Sequence, residues 1–176
     1  VGEFTVEKKV ILEEIALYQD RPTHILFEAA LREHFRGHGA GNSVLGSIDS
    51  VSALTPEQMR SYFDNRYAAD NIVLAATGNF VWEELVELAE RYCQSWPRGT
   101  AGRQVREHTP VSSVHALTKE NLHRAHRCFV GAGPSVSDEE RYAAHVLSVI
   151  LGDSSGSRCF WELIDKGLAD SASVDV

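Results

Sequence analysis

The sequence predicts an α+β fold arranged as two consecutive parts, and three observations lead there. Several stretches repeat apolar residues at helical spacing, whereas others are short, continuously apolar runs with β-branched residues that end at glycine, as strands do. Between residues 98 and 112 the chain turns polar and basic, with glycine and proline but no periodicity, which reads as a linker. Residues 1–97 therefore form one part and residues 113–176 the start of a second.

Residues 4–18 read as a helix because Val10, Ile11, Ile15, Leu17 and Tyr18 recur without an intervening Gly or Pro. Arg21-Pro22 breaks it, and a second helix covers residues 23–35 until Gly37, Gly39 and Gly41 halt propagation. Thr55-Pro56-Glu57-Gln58 joins an N-cap, a proline at the first helical position and acid in the first turn, so a helix should span 56–66. Residues 71–78 suit a strand buried on both faces, and residues 82–96 an amphipathic helix. After the linker, strands are expected at 114–117 and 125–131, then a helix over 138–151 capped by Ser137. A glycine-serine turn at 152–157 leads to a helix through about Asp165, and residues 169–176 alternate as a strand does.

Composition narrows the function. The 176 residues are 43% hydrophobic and 24% charged with both signs interspersed, enough for a core rather than a disordered chain. A net charge of −8 leaves no basic face for a phosphate backbone, which excludes nucleic acid as a partner. No run approaches the roughly 20 apolar residues of a membrane helix, and the opening residues lack a signal-peptide layout, so a soluble chain is expected. Cys93, Cys128 and Cys159 lie far apart in unlike contexts and read as buried thiols. That fits a reducing compartment such as the cytoplasm without excluding the periplasm.

The first helix carries the chemistry. At about 100° per residue, Glu7 and Glu14 point within roughly 20° of each other, flanked by Val10, Ile11, Leu17 and Tyr18. Carboxylates at the centre of an apolar stripe must be paired, protonated or metal-bound, since burying an unpaired charge costs several kcal/mol. Spacing alone leaves two readings open: pairing with Lys or Arg from another element, or a metal or catalytic role.

The segment from Glu7 to Ile15 resembles the one that follows the inverted H-x-x-E-H zinc helix in peptidases of the pitrilysin, insulin-degrading-enzyme and mitochondrial-processing-peptidase family. The stretches Phe35-Arg36-Gly37-His38, Val44-Leu45-Gly46-Ser47 and Leu54-Thr55-Pro56-Glu57 are similar to the family's, as is the run from Tyr67 through Asn71 to Gly78-Asn79-Phe80. So are Leu151-Gly152, Ser157-Arg158-Cys159-Phe160 and Gly167-Leu168-Ala169, and the resemblance spans nearly the whole chain. It implies that Glu14 is a zinc ligand and that Glu7 assists catalysis nearby. It also implies helices on mainly antiparallel sheets, in parts of two similar units that enclose extended peptide substrates.

The H-x-x-E-H motif itself does not occur in these residues, and the resemblance places it before Val1. The chain alone is therefore expected to bind zinc poorly and to cleave nothing. An arginine and tyrosine that the family carries near Gly-Leu-Ala are also missing, since the tyrosine position is Asp170 and the arginine position falls near Leu163 or Ile164. A second subunit or domain is expected to supply that pair. A non-catalytic family subunit that keeps the same scaffold is the alternative. His34 and His38 stand four apart but across the helix end, and His123 and His126 lack accompanying acids or cysteines, so all four read as structural or solvated.

Overall fold

The computed structural model describes residues 2–99 and 106–176, which fall in two compact units, Val1–Cys128 and Phe129–Val176. In the first unit, α1 (Gly2–Gln19) and α2 (Pro22–His34) form a hairpin, turned by the Arg21 N–H donating to the Tyr18 carbonyl at 3.0 Å. Pro22 sits at the start of α2, where no intrahelical N–H is needed. A short 3-10 turn, Gly39–Gly41, folds back on Phe35 so closely that a Cβ at Gly41 would lie 2.9 Å from the Phe35 carbonyl oxygen. Glycine there is a packing requirement.

Two short helices follow, α3 (Ile48–Ala53) and α4 (Pro56–Arg66), each opened by a reciprocal capping box. In α3 the box pairs Ser47 with Ser50; in α4 it pairs Thr55 with Gln58. The second follows the N-cap signature expected at Thr55, whereas α3 lies in a stretch expected to be a loop. α1 packs on both α2 and α3, and Ile15, at 5% exposure, is its most buried side chain. Beyond a second 3-10 turn at Ala69–Asn71, the chain reaches α5 (Trp82–Cys93) and then bonds back, the Ala69 N–H donating to the Pro97 carbonyl at 3.0 Å.

The α+β expectation is overturned: among the described residues there are helices and turns but no strand and no sheet. Residues 71–78, expected to be buried on both faces, are exposed, with Val73 at 91%. The segments at 114–117 and 125–131 are likewise unpaired, Val114 being 98% and Phe129 89% exposed. β-branched runs favour an extended backbone, and Ile72 does adopt one (φ −117°, ψ 133°). A strand also needs a partner whose N–H and C=O groups complete a ladder, which no described segment supplies. The expected linker at 98–112 lies partly outside the described residues, at 100–105.

In the second unit, α6 (Arg141–Gly152) begins three residues later than expected. Ser137 does not cap it, because Asp138 turns back to accept the Ser135 N–H at 2.8 Å and holds the chain in a turn up to Arg141. The last expected helix is a π-helical turn, Phe160–Ile164, closed by the Asp165 N–H donating to the Phe160 carbonyl at 2.8 Å. The buried Ser157 opens it by accepting the Phe160 N–H at 3.1 Å. Residues 169–176 run alongside the end of α6, with Ala172 and Val174 turned inward. A Cβ on Gly152 would lie 2.3 Å from the Val174 backbone nitrogen.

That contact yields a prediction. Gly152→Ala forces backbone apart rather than a flexible side chain, and should cost roughly 1–3 kcal/mol. Chemical denaturation monitored in the second unit should register the loss, together with faster amide exchange over residues 169–176; unchanged exchange there would contradict the packing.

Candidate functional site

Glu7 and Glu14 both lie on α1, on its solvent side. The side of α1 turned to the protein carries Phe4, Lys8, Ile11, Leu12, Ile15 and Tyr18. Both glutamates are exposed and stand beside a second apolar strip, Val6, Val10 and Leu17, which is exposed as well. The expectation that burial holds the two carboxylates mid-stripe is therefore corrected. α1 is apolar around most of its circumference, so an apolar neighbourhood in sequence does not identify its inward face.

What remains is a pair of carboxylates free of partners. Among the described residues neither Glu7 nor Glu14 has a hydrogen-bond or ion-pair partner. Seven residues of helix separate them by about 10 Å along the axis, too far for both to ligate one ion. The donor chemistry suits zinc at Glu14, as one oxygen ligand of the three protein ligands a catalytic zinc takes. The rest of such a set is missing: no cluster of three or more His, Cys, Asp or Glu able to hold a metal exists among the described residues.

The helix that presents these acids is held by a feature that sequence reasoning missed. Lys8 extends from α1 to the end of α3, and its ammonium donates to the Ser52 and Leu54 carbonyls at 2.5 and 3.0 Å. Its pattern in sequence is that of any solvated lysine, which is why spacing gave no sign of it.

The backbone is similar to the crystal structure of a protease from Helicobacter pylori, with a TM-score of 0.76 at 18% identity, over 98% of this chain and 43% of that one. The fold is thus one found within a protease. The chain belongs to the peptidase M16 family, its residues 53–176 matching the Peptidase M16 inactive domain. Relatives named uncharacterized zinc proteases occur in Mycobacterium leprae, 34% identical over 97% of this chain, and in Bacillus subtilis, 29% identical over 97%. The chain spans about 40% of the length of each, covering 40% of the first and 41% of the second. α1 precedes the residues matched to the inactive domain, but the relatives' matches cover nearly all of this chain.

Of the four histidines expected to be structural or solvated, His38 holds a turn. His38 caps the Gly39–Gly41 turn, its Nδ1 accepting the Ala40 N–H at 3.2 Å, while its Nε2 meets the Arg106 carbonyl at 3.0 Å. His108 Nε2 reaches the His34 carbonyl at 2.5 Å, and both His123 and His126 are exposed. The three cysteines are free but half-buried rather than buried. No helix among the described residues is long and apolar enough to cross a membrane.

Glu33, at the end of α2, is the paired counterpart to the free acids. A hydrogen bond from Arg36 is the largest influence holding its carboxyl below the usual range, partly opposed by desolvation and aided by the charges of Arg36, His115 and Arg32. His115 Nε2 lies 3.1 Å from the same carboxylate. A carboxyl lowered on folding stabilises the protein above its unfolded value, about 4.3, and loses that contribution as pH falls through the folded value. Glu33→Gln should therefore flatten the acid limb of stability below about pH 4.3. Urea midpoints measured from pH 6 to 3 will check this; a limb as steep as wild type would remove Glu33 from the account.

Proposed function

We propose that this chain is the part of a zinc-dependent metalloendopeptidase that supplies Glu14 as a zinc ligand and Glu7 as an accessory catalytic acid. The observation that carries the reading is the placement of both carboxylates, unpartnered, on one exposed side of α1 beside Val6, Val10 and Leu17. An apolar strip interrupted by free acids suits a face that covers a metal-bearing element, because the strip loses water while each acid meets a cation or a proton. The relatives' name, zinc protease, supports the same assignment.

Zinc, when bound, would lower the pKa of its water and polarise a scissile carbonyl. For its part, Glu14 supplies negative charge and one oxygen donor from a regular helix. Glu7, two turns away, is placed to orient substrate or hold a proton at its carboxylate. Peptides or small proteins are the substrate class in this reading. Residues 1–97 complete one peptidase unit and 113–176 begin the next. Since Asp170 occupies the tyrosine position, a second family subunit or domain supplies the arginine-tyrosine pair. The chain alone, with one ligand, is inactive.

The description of residues 53–176 as an inactive domain favours a second reading, a non-catalytic family subunit. In the full-length protein, Glu14→Gln should abolish zinc retention and peptide cleavage. Glu7→Gln should keep the zinc and lose on the order of 10²-fold in turnover. Metal analysis and a peptide-library assay measure both. Stoichiometric zinc retained by Glu14→Gln defeats the ligand assignment; a wild-type protein without zinc or cleavage in any pairing establishes the scaffold instead.

A further inference from the structure

We propose that Lys8 is a positioning residue that fixes the roll of α1 about its own axis and so sets the direction in which Glu14 points; this rests on the reading of Glu14 as a zinc ligand. The need for such a residue follows from the helix itself. With Ile11, Leu12 and Ile15 turned inward and Val6, Val10 and Leu17 outward, α1 offers apolar surface over much of its circumference. Burial of Ile15 chooses the inward side of α1, but apolar contacts carry no polar direction of their own, so a hydrogen-bonded contact adds to what packing fixes.

Metal coordination demands more. Ligand distances are held to within about 0.2 Å, whereas side-chain atoms ride about 5–6 Å from a helix axis, where a roll of about 10° moves them by about 1 Å. A roll of a few degrees is thus felt by a ligand as a misplaced donor, whereas the apolar contacts oppose it only through packing. A directional contact far from the axis meets the requirement, and Lys8 makes one.

Its ammonium donates to two carbonyls, Ser52 O at 2.5 Å and Leu54 O at 3.0 Å, and lies 6.0 Å from the centroid of the Phe4 ring one turn earlier on the same face. The acceptors are at the carboxyl end of α3, where unsatisfied carbonyls favour a cation. They are also firmly placed. α3 is closed at its start by the Ser47–Ser50 box, and Leu54 directly precedes Thr55, which opens α4 through its own box with Gln58. Lys8 thus ties α1 to a corner whose backbone is pinned on both sides. Lys119, which donates to the Gln19 carbonyl at 2.7 Å, holds the end of α1 through main chain and has less leverage on roll.

The test uses the full-length protein. Lys8→Met keeps the aliphatic stem and deletes the donors. It should weaken zinc binding by about 10–100-fold, the range seen when residues supporting a metal ligand are removed. Turnover should fall with little change in KM, and the absorption spectrum of the cobalt-substituted protein should shift. Lys8→Arg, which restores a cationic donor, should recover most of the zinc affinity. Wild-type affinity and an unchanged cobalt spectrum in a folded Lys8→Met protein overturn the proposal. Should Lys8→Met fail to fold, Lys8→Gln takes its place in the same measurements. If the wild-type protein takes up no zinc, the peptidase reading fails separately. Lys8 is then judged by amide exchange at residues 48–56, where unchanged protection in Lys8→Met rejects the tether.

Discussion

The seating of α1 on α2 and α3 is the constraint on which the rest of the first unit depends. Ile15 is its deepest side chain and Lys8 its polar link to the end of α3, so one contact supplies burial and the other direction. Burial of a side chain such as Ile15 contributes roughly 1.5–3 kcal/mol whatever its neighbours' orientation. Hydrogen bonds from an ammonium to two fixed carbonyls contribute through geometry. Together they determine which residues of α1 face outward, and Glu7 and Glu14 are among them.

Acids elsewhere in the chain show what partners do. Glu33 is held low chiefly by the hydrogen bond from Arg36 and Glu162 by the one from Lys166, while Glu57 is lowered mainly by the backbone at the start of α4 and by Thr55. Each of these three is accounted for by a neighbour on its own helix or at its end. The α1 carboxylates have no such neighbour among the described residues, and the apolar strip beside them is likewise uncovered. A free acid alone would be ordinary surface. Two of them border Val6, Val10 and Leu17, and that arrangement is what the proposed function draws on.

Helices were legible wherever a local rule governs them. Thr55-Pro56-Glu57-Gln58 specifies its own cap, first residue and capping box, and α4 starts where those residues place it. Arg21-Pro22 and the Gly37–Gly41 stretch likewise marked the limits of α2 to within a residue or so. α3 escaped notice because its box uses Ser50 where Glu or Gln is usual, and its six residues are too few to show a period. The residue types at 71–78 and 114–117 favour strands, yet strand formation is a property of two segments. At the candidate site, the spacing of Glu7 and Glu14 was sound, but their burial was not, since an evenly apolar helix carries no record of which side meets the protein.

The sequence by itself determined the family, the limits of α2 and the start of α4, the placing of Glu7 and Glu14 on one side of α1, and the incompleteness of any zinc set within these residues. These depend on order and spacing along the chain, where capping, proline and glycine act over a few residues. Tertiary structure decided the rest: that α1 turns Ile15 inward and its glutamates outward, that Lys8 bonds the end of α3, and that Gly152 lies against Val174. The Lys8 and Gly152 contacts join residues 46 and 22 positions apart, and such pairings follow from which surfaces meet rather than from any local preference.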